Sequence, residues 1–327
     1  MDKYKLGVGP MSAAINKCID KYAVRAPLMI VASRNQVDHN QGYVCRTEEL
    51  PSQFSNRELL LLCRDHCGPY FKDTDKGLTV EQAIAECKKT IDADIAAGFD
   101  LIHIDVSRIP ENQFKYAEEL FNYTLSKEPG MLFEFGSENN TGTDLAPSAE
   151  RIDEQLKFIS KYSNNVVYFV TQTGSFTQHT QVGSFDLETN KKLAQKVHDA
   201  GFRFKEHNAD YLHSPDIWLR RQAKIDALNI APQLGTVQTY VSSSLSVSRS
   251  GHTPEWKRFA DMVYNKGLWK KWMPADMDDK EMAVQVSGHY FFNTDEYRAV
   301  EYTYSEDSFE YRLENMIFEI FDTYTKV

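Results

Sequence analysis

The stretch Leu59-Leu60-Leu61-Leu62-Cys63-Arg64-Asp65-His66-Cys67-Gly68-Pro69 passes from an unbroken apolar run to a carboxylate, an imidazole and a glycine-proline turn. Apolar residues at successive positions mark a strand covered on both faces, as in a parallel sheet flanked by helices. The same transition recurs where Phe202-Arg203-Phe204-Lys205 leads into Glu206-His207-Asn208-Ala209-Asp210. Polar groups at strand ends describe the mouth of a parallel α/β barrel, the face on which barrel active sites are built. Adjacent strand residues point to opposite sides, so only one of each acid–histidine pair faces the axis unless the strand has already ended.

Working outward, strands are expected at Tyr4–Val8, Leu28–Ala32, Leu59–Cys63, Leu101–Asp105, Met131–Phe135, Val166–Thr171, Phe202–Glu206 and Ala227–Ile230. Stretches of helical spacing separate most of them, which is the βα alternation that closes a (β/α)8 TIM barrel at about eight repeats. Helices are expected at Val80–Ala97, Ser148–Tyr162, Leu187–Ala200 and Pro215–Ala223. Thr79 with Gln82 makes a capping-box start, and Gly98 and Gly201 supply stops. From about Gly251 the rhythm breaks. The barrel is assigned to residues 1–250, and residues 251–327 to a helical extension packed on it within the same domain, with Trp256, Trp269 and Trp272 as buried anchors and an amphipathic stretch at Phe309–Tyr324.

The net charge of −10, without long like-charge blocks, argues against a nucleic-acid or anionic-membrane partner and makes a small molecule the default. Five cysteines (Cys18, Cys45, Cys63, Cys67, Cys87) form no Cys-x-x-Cys pair, which suits a reducing cytoplasm and gives no support to thiolate ligation. No apolar run approaches the roughly 20 residues of a membrane span. A soluble, cytoplasmic protein is expected.

Polar residues collect at the strand ends: Arg34, Asn35 and Gln36 after the second, Asp65-His66 at the third, Asp105 at the fourth, Glu134 and Glu138 at the fifth, Gln172 at the sixth, Glu206, His207 and Asp210 at the seventh, and Asn229 at the eighth. Each has an ordinary structural reading: a capping aspartate at 65, a core histidine at 207, a cross-barrel ion pair for Asp105 or Glu134. His103 is read as core. Their gathering at one rim favours function, because buried carboxylates are costly unless paired or metal-bound. Anion donors are sought at the helix start Gly235-Thr236, at Arg34, and in the Ser242–Ser250 stretch with Arg249, where capping and a solvated loop are the favoured readings.

The strings Ser33-Arg34-Asn35-Gln36-Val37, Asp65-His66-Cys67-Gly68-Pro69, Ala97-Gly98-Phe99, Ile102-His103-Ile104-Asp105 and Glu206-His207-Asn208-Ala209-Asp210-Tyr211 resemble the accessory-subunit family of tagatose-bisphosphate aldolase. That family is related to class II, metal-dependent ketose-bisphosphate aldolases and to barrel sugar epimerases. The resemblance implies one divalent ion, zinc above all, with His66 and His207 as ligands, Asp65 as acid/base, and Asp105 and Glu134 serving the metal region. There are two departures. Gln172 stands where a class II aldolase offers another histidine, His179 lying farther along, so Glu134 is assigned to complete a two-histidine, one-carboxylate set. The loop after His207 lacks a Gly-Gly-Ser-Gly phosphate cradle.

The expected activity is aldol-type chemistry on a ketose or ketose phosphate, by reversible C3–C4 cleavage or C4 epimerisation. In a proton-exchange variant of the epimerisation, Asp65 and either Glu134 or Glu206 are the two bases. Asn35, Gln36, Gln172, Asp210 and Asn229 are candidate substrate contacts. The competing expectation is a non-catalytic chain that stabilises a separate aldolase partner; homo-oligomers are also common among such barrels.

Overall fold

The computed structural model describes residues 1–137, 148–178 and 182–326. Eight parallel strands close a barrel: β1 Leu6–Val8, β2 Leu28–Ser33, β3 Leu60–Cys67, β4 Leu101–Ile104, β5 Leu132–Gly136, β6 Val166–Val170, β7 Arg203–Glu206 and β8 Ala227–Ile230, with β8 returning to pair with β1. The TIM-barrel expectation holds, and strand bounds shift by a residue or two except at β3. That strand runs on to Cys67, because its pairing with β2 continues to Ser33↔Asp65 and its pairing with β4 resumes at Cys67↔Ile104.

The helices are α1 Ala13–Ala23, α2 Val80–Ala96, α3 Gln113–Lys127, α4 Ala149–Ile159, α5 Leu187–Asp199, α6 Ser214–Gln222, α7 Pro232–Leu245, α8 Pro254–Lys266, α9 Lys280–Ser287, α10 Asp295–Glu301 and α11 Glu306–Thr325. α2 opens with the Thr79/Gln82 capping box and is followed by Gly98 at φ +74°, a left-handed turn that glycine adopts without steric cost.

Inward-facing residues stack in layers. Tyr4, Met29, Val31, Leu61, Cys63, Leu101, Tyr168 and Ala227 form an apolar plug inside the barrel, separate from the larger core between strands and helices. Above the plug the inward positions become polar, and the mouth begins there. α11 joins the main core through Phe309, Leu313, Ile317, Phe321 and Tyr324, whereas Trp256 anchors a second cluster with Phe259, Val284 and Tyr297. Trp269 and Trp272 pack with Met273 and Val286. All three of these tryptophans are buried.

Candidate active site

The two acid–histidine pairs behave differently. At the end of β7 the strand geometry is regular, so Lys205 and His207 face the axis and Glu206 turns outward. There Glu206 accepts from Ser175 Oγ at 2.8 Å and from Arg220 Nε of α6 at 3.2 Å. Burial raises its pKa. This corrects the assignment of Glu206 as a catalytic base: alternation along the strand takes it out of the mouth. In β3, by contrast, His66 has φ +45° and the pairing with β4 slips between Arg64 and Cys67. The slip places Asp65 and His66 together on the mouth. Below it, Arg64 anchors the strand from outside through Asp94, at 2.6 and 2.8 Å. Gly68 lies against β4 so closely that a Cβ there would stand 1.5 Å from the Asp105 carbonyl oxygen.

Asp65, His66, His103 and His207 each present a ligand atom within 4.8 Å of the others. The imidazole centroids are 5.0 Å apart for His66 and His103, 5.2 Å for His66 and His207, and 4.9 Å for His103 and His207. The far nitrogens are spoken for. His66 Nδ1 lies 2.8 Å from Asp105 Oδ2, His103 Nε2 donates to the Gly136 carbonyl at 2.8 Å, and His207 Nε2 contacts Glu134 Oε1. A carbonyl only accepts, so when neutral His103 carries its lone pair on Nδ1, 3.4 Å from Asp65 Oδ1. His66 Nε2 is 3.5 Å from Asp65 Oδ2, and His207 Nδ1 is 3.7 Å from Asp65 Oδ1. Three ring nitrogens thus converge on one carboxylate.

Electrostatics reinforce the arrangement. Burial alone would raise Asp65 and Glu134. The surrounding imidazoles more than offset it for Asp65, and Lys205 with His207 and His103 for Glu134, so both are held far below the usual carboxylate range. Asp105 is lowered in the same way by its bond to His66, against burial. Burial and the charges of Glu134, Asp65 and Asp105 oppose each other at His103, and the acids win, lifting it to about 9. Burial lowers His207. Three carboxylates against the single ammonium of Lys205 leave two negative charges, which a divalent cation or protonated imidazoles would neutralise.

His103 and Lys205 are the residues that sequence reading missed. His103 was assigned to core, yet it shares the inward phase of Asp105 two residues on. Lys205 Nζ lies 2.7 Å from Glu134 Oε2, both side chains being almost wholly buried, and its signal was the same two-residue phase with His207. Two assigned ligands stand one step back: Asp105 orients His66, and Glu134 holds His207 and lies 3.7 Å from His103 Nδ1. Partners of this kind fix imidazole tautomers at metal sites.

Other assigned residues are engaged elsewhere. Arg34 is buried in a two-pronged pair with Asp75, at 2.6 and 3.2 Å, and also donates to the Gly68 carbonyl, so it is not an anion donor at the mouth. Asn35 ties the Phe71 carbonyl and the Asp73 amide, while Gln36 accepts from Ser33. Asp210 accepts from the Ala231 and Gln233 amides, capping the start of α7, and burial pushes its pKa up to about 7 against those bonds. Gly235 packs on His289, and Thr236 bonds Tyr211 at 3.0 Å. Gln172 donates to the Ser175 carbonyl, whereas Asn229 faces inward beside Gly7 with its Oδ1 buried and unpartnered. Glu138 and His179 lie outside the described residues. The five cysteines are buried and free, and among the described residues no helix is long and apolar enough to cross a membrane.

A closed parallel barrel carrying a histidine–carboxylate cluster at the C-terminal ends of its strands is the class that fold and site define. No family model matches the chain. Among solved structures it is similar to a protein of Sinorhizobium meliloti 1021 described as a probable tagatose 6 phosphate kinase, with TM-score 0.78 and 17% identity over 98% of this chain and 99% of that one. It is also similar to the fructuronate-tagaturonate epimerase of Cohnella laeviribosi (TM-score 0.64, 10% identity, 99% and 81% covered). A third similar structure is the fructose-bisphosphate aldolase of Campylobacter jejuni (TM-score 0.58, 14% identity, 98% and 90% covered). At these identities the likeness is one of fold, shared with aldolase and epimerase barrels.

Proposed function

We propose that this chain is a metal-dependent enzyme of aldol type acting on a ketose or ketose phosphate, by reversible C3–C4 cleavage or by C4 epimerisation. The observation that supports it most is the convergence of His66, His103 and His207 on Asp65, with each far nitrogen already bonded. Such a donor set suits a zinc-like ion, for which neutral imidazoles are preferred ligands. His66 Nε2, His103 Nδ1 and His207 Nδ1 would hold it. A divalent ion there supplies positive charge beside the ketose carbonyl, where negative charge develops as the carbon–carbon bond breaks.

Asp65 is the proton carrier in this reading. Its side chain is 17% exposed, against 1% for Asp105 and Glu134, so it is the carboxylate that substrate reaches. It accepts the C4 hydroxyl proton on cleavage and returns it on re-addition; re-addition to the other face of the aldehyde inverts C4. Asp105 and Glu134 hold His66 and His207 in single orientations. Phe71, stacked on His66 at 4.9 Å, keeps water from one side of that ring.

The test is incubation of zinc-loaded protein with ketoses and their phosphates, following aldehyde release and C4 inversion by NMR. One of the two products is expected with at least one substrate, and Asp65→Asn removes it while retaining zinc. Bound zinc without either product across the panel overturns the reading.

A further inference from the structure

Three helices end on the same turn, and one of them carries a different residue there. After α2 the Gly98 and Phe99 amides bond the Ile95 and Asp94 carbonyls at 3.1 and 2.9 Å. After α5 the Gly201 and Phe202 amides bond His198 and Val197 at 2.9 and 3.2 Å, and after α6 the Lys224 and Ile225 amides bond Arg221 and Arg220, both at 3.0 Å. The residue at the turn is left-handed in all three, with φ of +74°, +88° and +62°. Glycine takes that conformation freely, whereas a residue with a Cβ meets a steric cost. The turn itself therefore gives no reason for a lysine at 224.

Lys224 lines a cavity of about 200 Å³. Lys5 ahead of β1, Arg203 at the start of β7 and Arg221 near the end of α6 share it, together with Tyr4 and Tyr168 of the apolar plug. These positions put the cavity at the N-terminal ends of the strands, across the plug from the histidine cluster. Its two acids are already engaged. Asp226 accepts from the Phe204 amide and meets His198 Nε2, both at 2.8 Å, and Asp2 accepts from Arg203 at 2.5 and 3.1 Å. Among the described residues, Lys5, Arg221 and Lys224 form no ion pair. Arg221 reaches only carbonyls, of Ile225 at 3.5 Å and Tyr324 at 3.3 Å, and its Nε is buried without a hydrogen-bond partner. Four cationic side chains against two acidic ones leave the cavity positive in a chain of net charge −10. Gathered like charges repel, and a buried N–H without an acceptor is costly. An anion in the cavity offsets both and gives the lysine at a glycine turn a purpose.

We propose that this cavity binds a small oxyanion of phosphate type carrying two or more charges, held by Lys224, Arg221 and Lys5. Water takes about 30 Å³ a molecule, so the space admits roughly six, which suits a diphosphate and excludes a nucleotide. Arg221 offers planar N–H donors and the two lysines point charges. The site is separate from the chemistry at the mouth, since the length of β7 lies between Arg203 and His207.

The experiment reads binding, not turnover. Diphosphate and inorganic phosphate are titrated calorimetrically into metal-free wild type, Lys224→Gly, Lys5→Gln and His66→Ala, with sodium chloride at equal ionic strength as the control. Diphosphate is expected to bind wild type, and Lys224→Gly and Lys5→Gln each to weaken it by about tenfold. Glycine suits the turn at 224, so the ligand-free thermal midpoint of that variant stays at or above wild type and separates lost binding from lost folding. His66→Ala keeps wild-type affinity, which distinguishes this cavity from the mouth. Phosphate binding as tightly as diphosphate assigns the site to a single phosphoryl group. Equal diphosphate affinity in wild type, Lys224→Gly and Lys5→Gln overturns the proposal, and so does a response no greater than that to chloride, or affinity lost in His66→Ala. Failure of the aldol reading leaves each of these outcomes unchanged.

Discussion

His66 Nδ1 lies 2.8 Å from Asp105 Oδ2, and Asp105 in turn accepts from the Ser107 amide at 2.9 Å. The carboxylate therefore holds the ring in one tautomer and aims Nε2 at the cluster. Asp105→Asn is expected to lower zinc affinity roughly 10- to 100-fold, the usual effect of losing such a partner, with little change in thermal midpoint. Competition with a chromophoric chelator measures it; wild-type affinity would show that His66 is oriented by something else.

Lys205 and Glu134 are a buried pair beneath the cluster. Lys205→Met leaves a carboxylate uncompensated and is expected to destabilise the fold by about 3–5 kcal/mol. Adding Glu134→Gln to the same chain removes the orphaned charge and should recover much of that loss. Urea denaturation of the two variants against wild type decides; equal stability of the single and double variants would mean that Glu134 draws its compensation from the imidazoles alone.

Arg34 serves the scaffold. Arg34→Met abandons Asp75 in the interior and should cost about 3–5 kcal/mol, while zinc content of the protein that remains folded stays at wild-type level. Loss of zinc with unchanged stability would return Arg34 to the mouth.

His289 sits against Gly235 and is buried and neutral, its pKa brought down to about 3 by burial and then by the charge of Lys271. The shift is downward, so its contribution to stability is complete above the unfolded value of about 6.5 and is lost progressively as pH falls toward 3. The slope from this residue approaches about 1.4 kcal/mol per pH unit below that value. Urea midpoints at pH 7, 6 and 5 should fall less steeply in His289→Gln than in wild type; parallel slopes would contradict a neutral imidazole there.

The barrel was legible because strands covered on both faces write continuous apolar runs: Leu28–Ala32, apolar at every position, is observed as the strand Leu28–Ser33. The site was half legible. Carboxylates and histidines beside such runs reveal the rim, but Glu206 is read there as a base beside His207, and only the observed alternation of β7, with Glu206 bonded to Ser175 and Arg220, separates the two. Nothing in the letters Asp65-His66 announces a left-handed backbone at a histidine, so the same rule fails at β3. Lys205 reads as a polar interruption until Glu134 is seen 71 positions away in sequence but within hydrogen-bond reach. Arg34 errs the other way, since its partner Asp75 lies 41 residues on, in the short 3-10 turn Asp73–Asp75, which has no apolar pattern to place it.

The positive φ of His66 sets the shape of the mouth against the comfort of the chain. A side chain bearing a Cβ adopts that conformation at a cost of about 1 kcal/mol, which glycine would not incur. His66→Gly would therefore relax the very bend that turns two neighbours to one side, while deleting the ring that the bend exists to present. At this position conformational ease and ligand supply pull in opposite directions, and the chain has kept the ring.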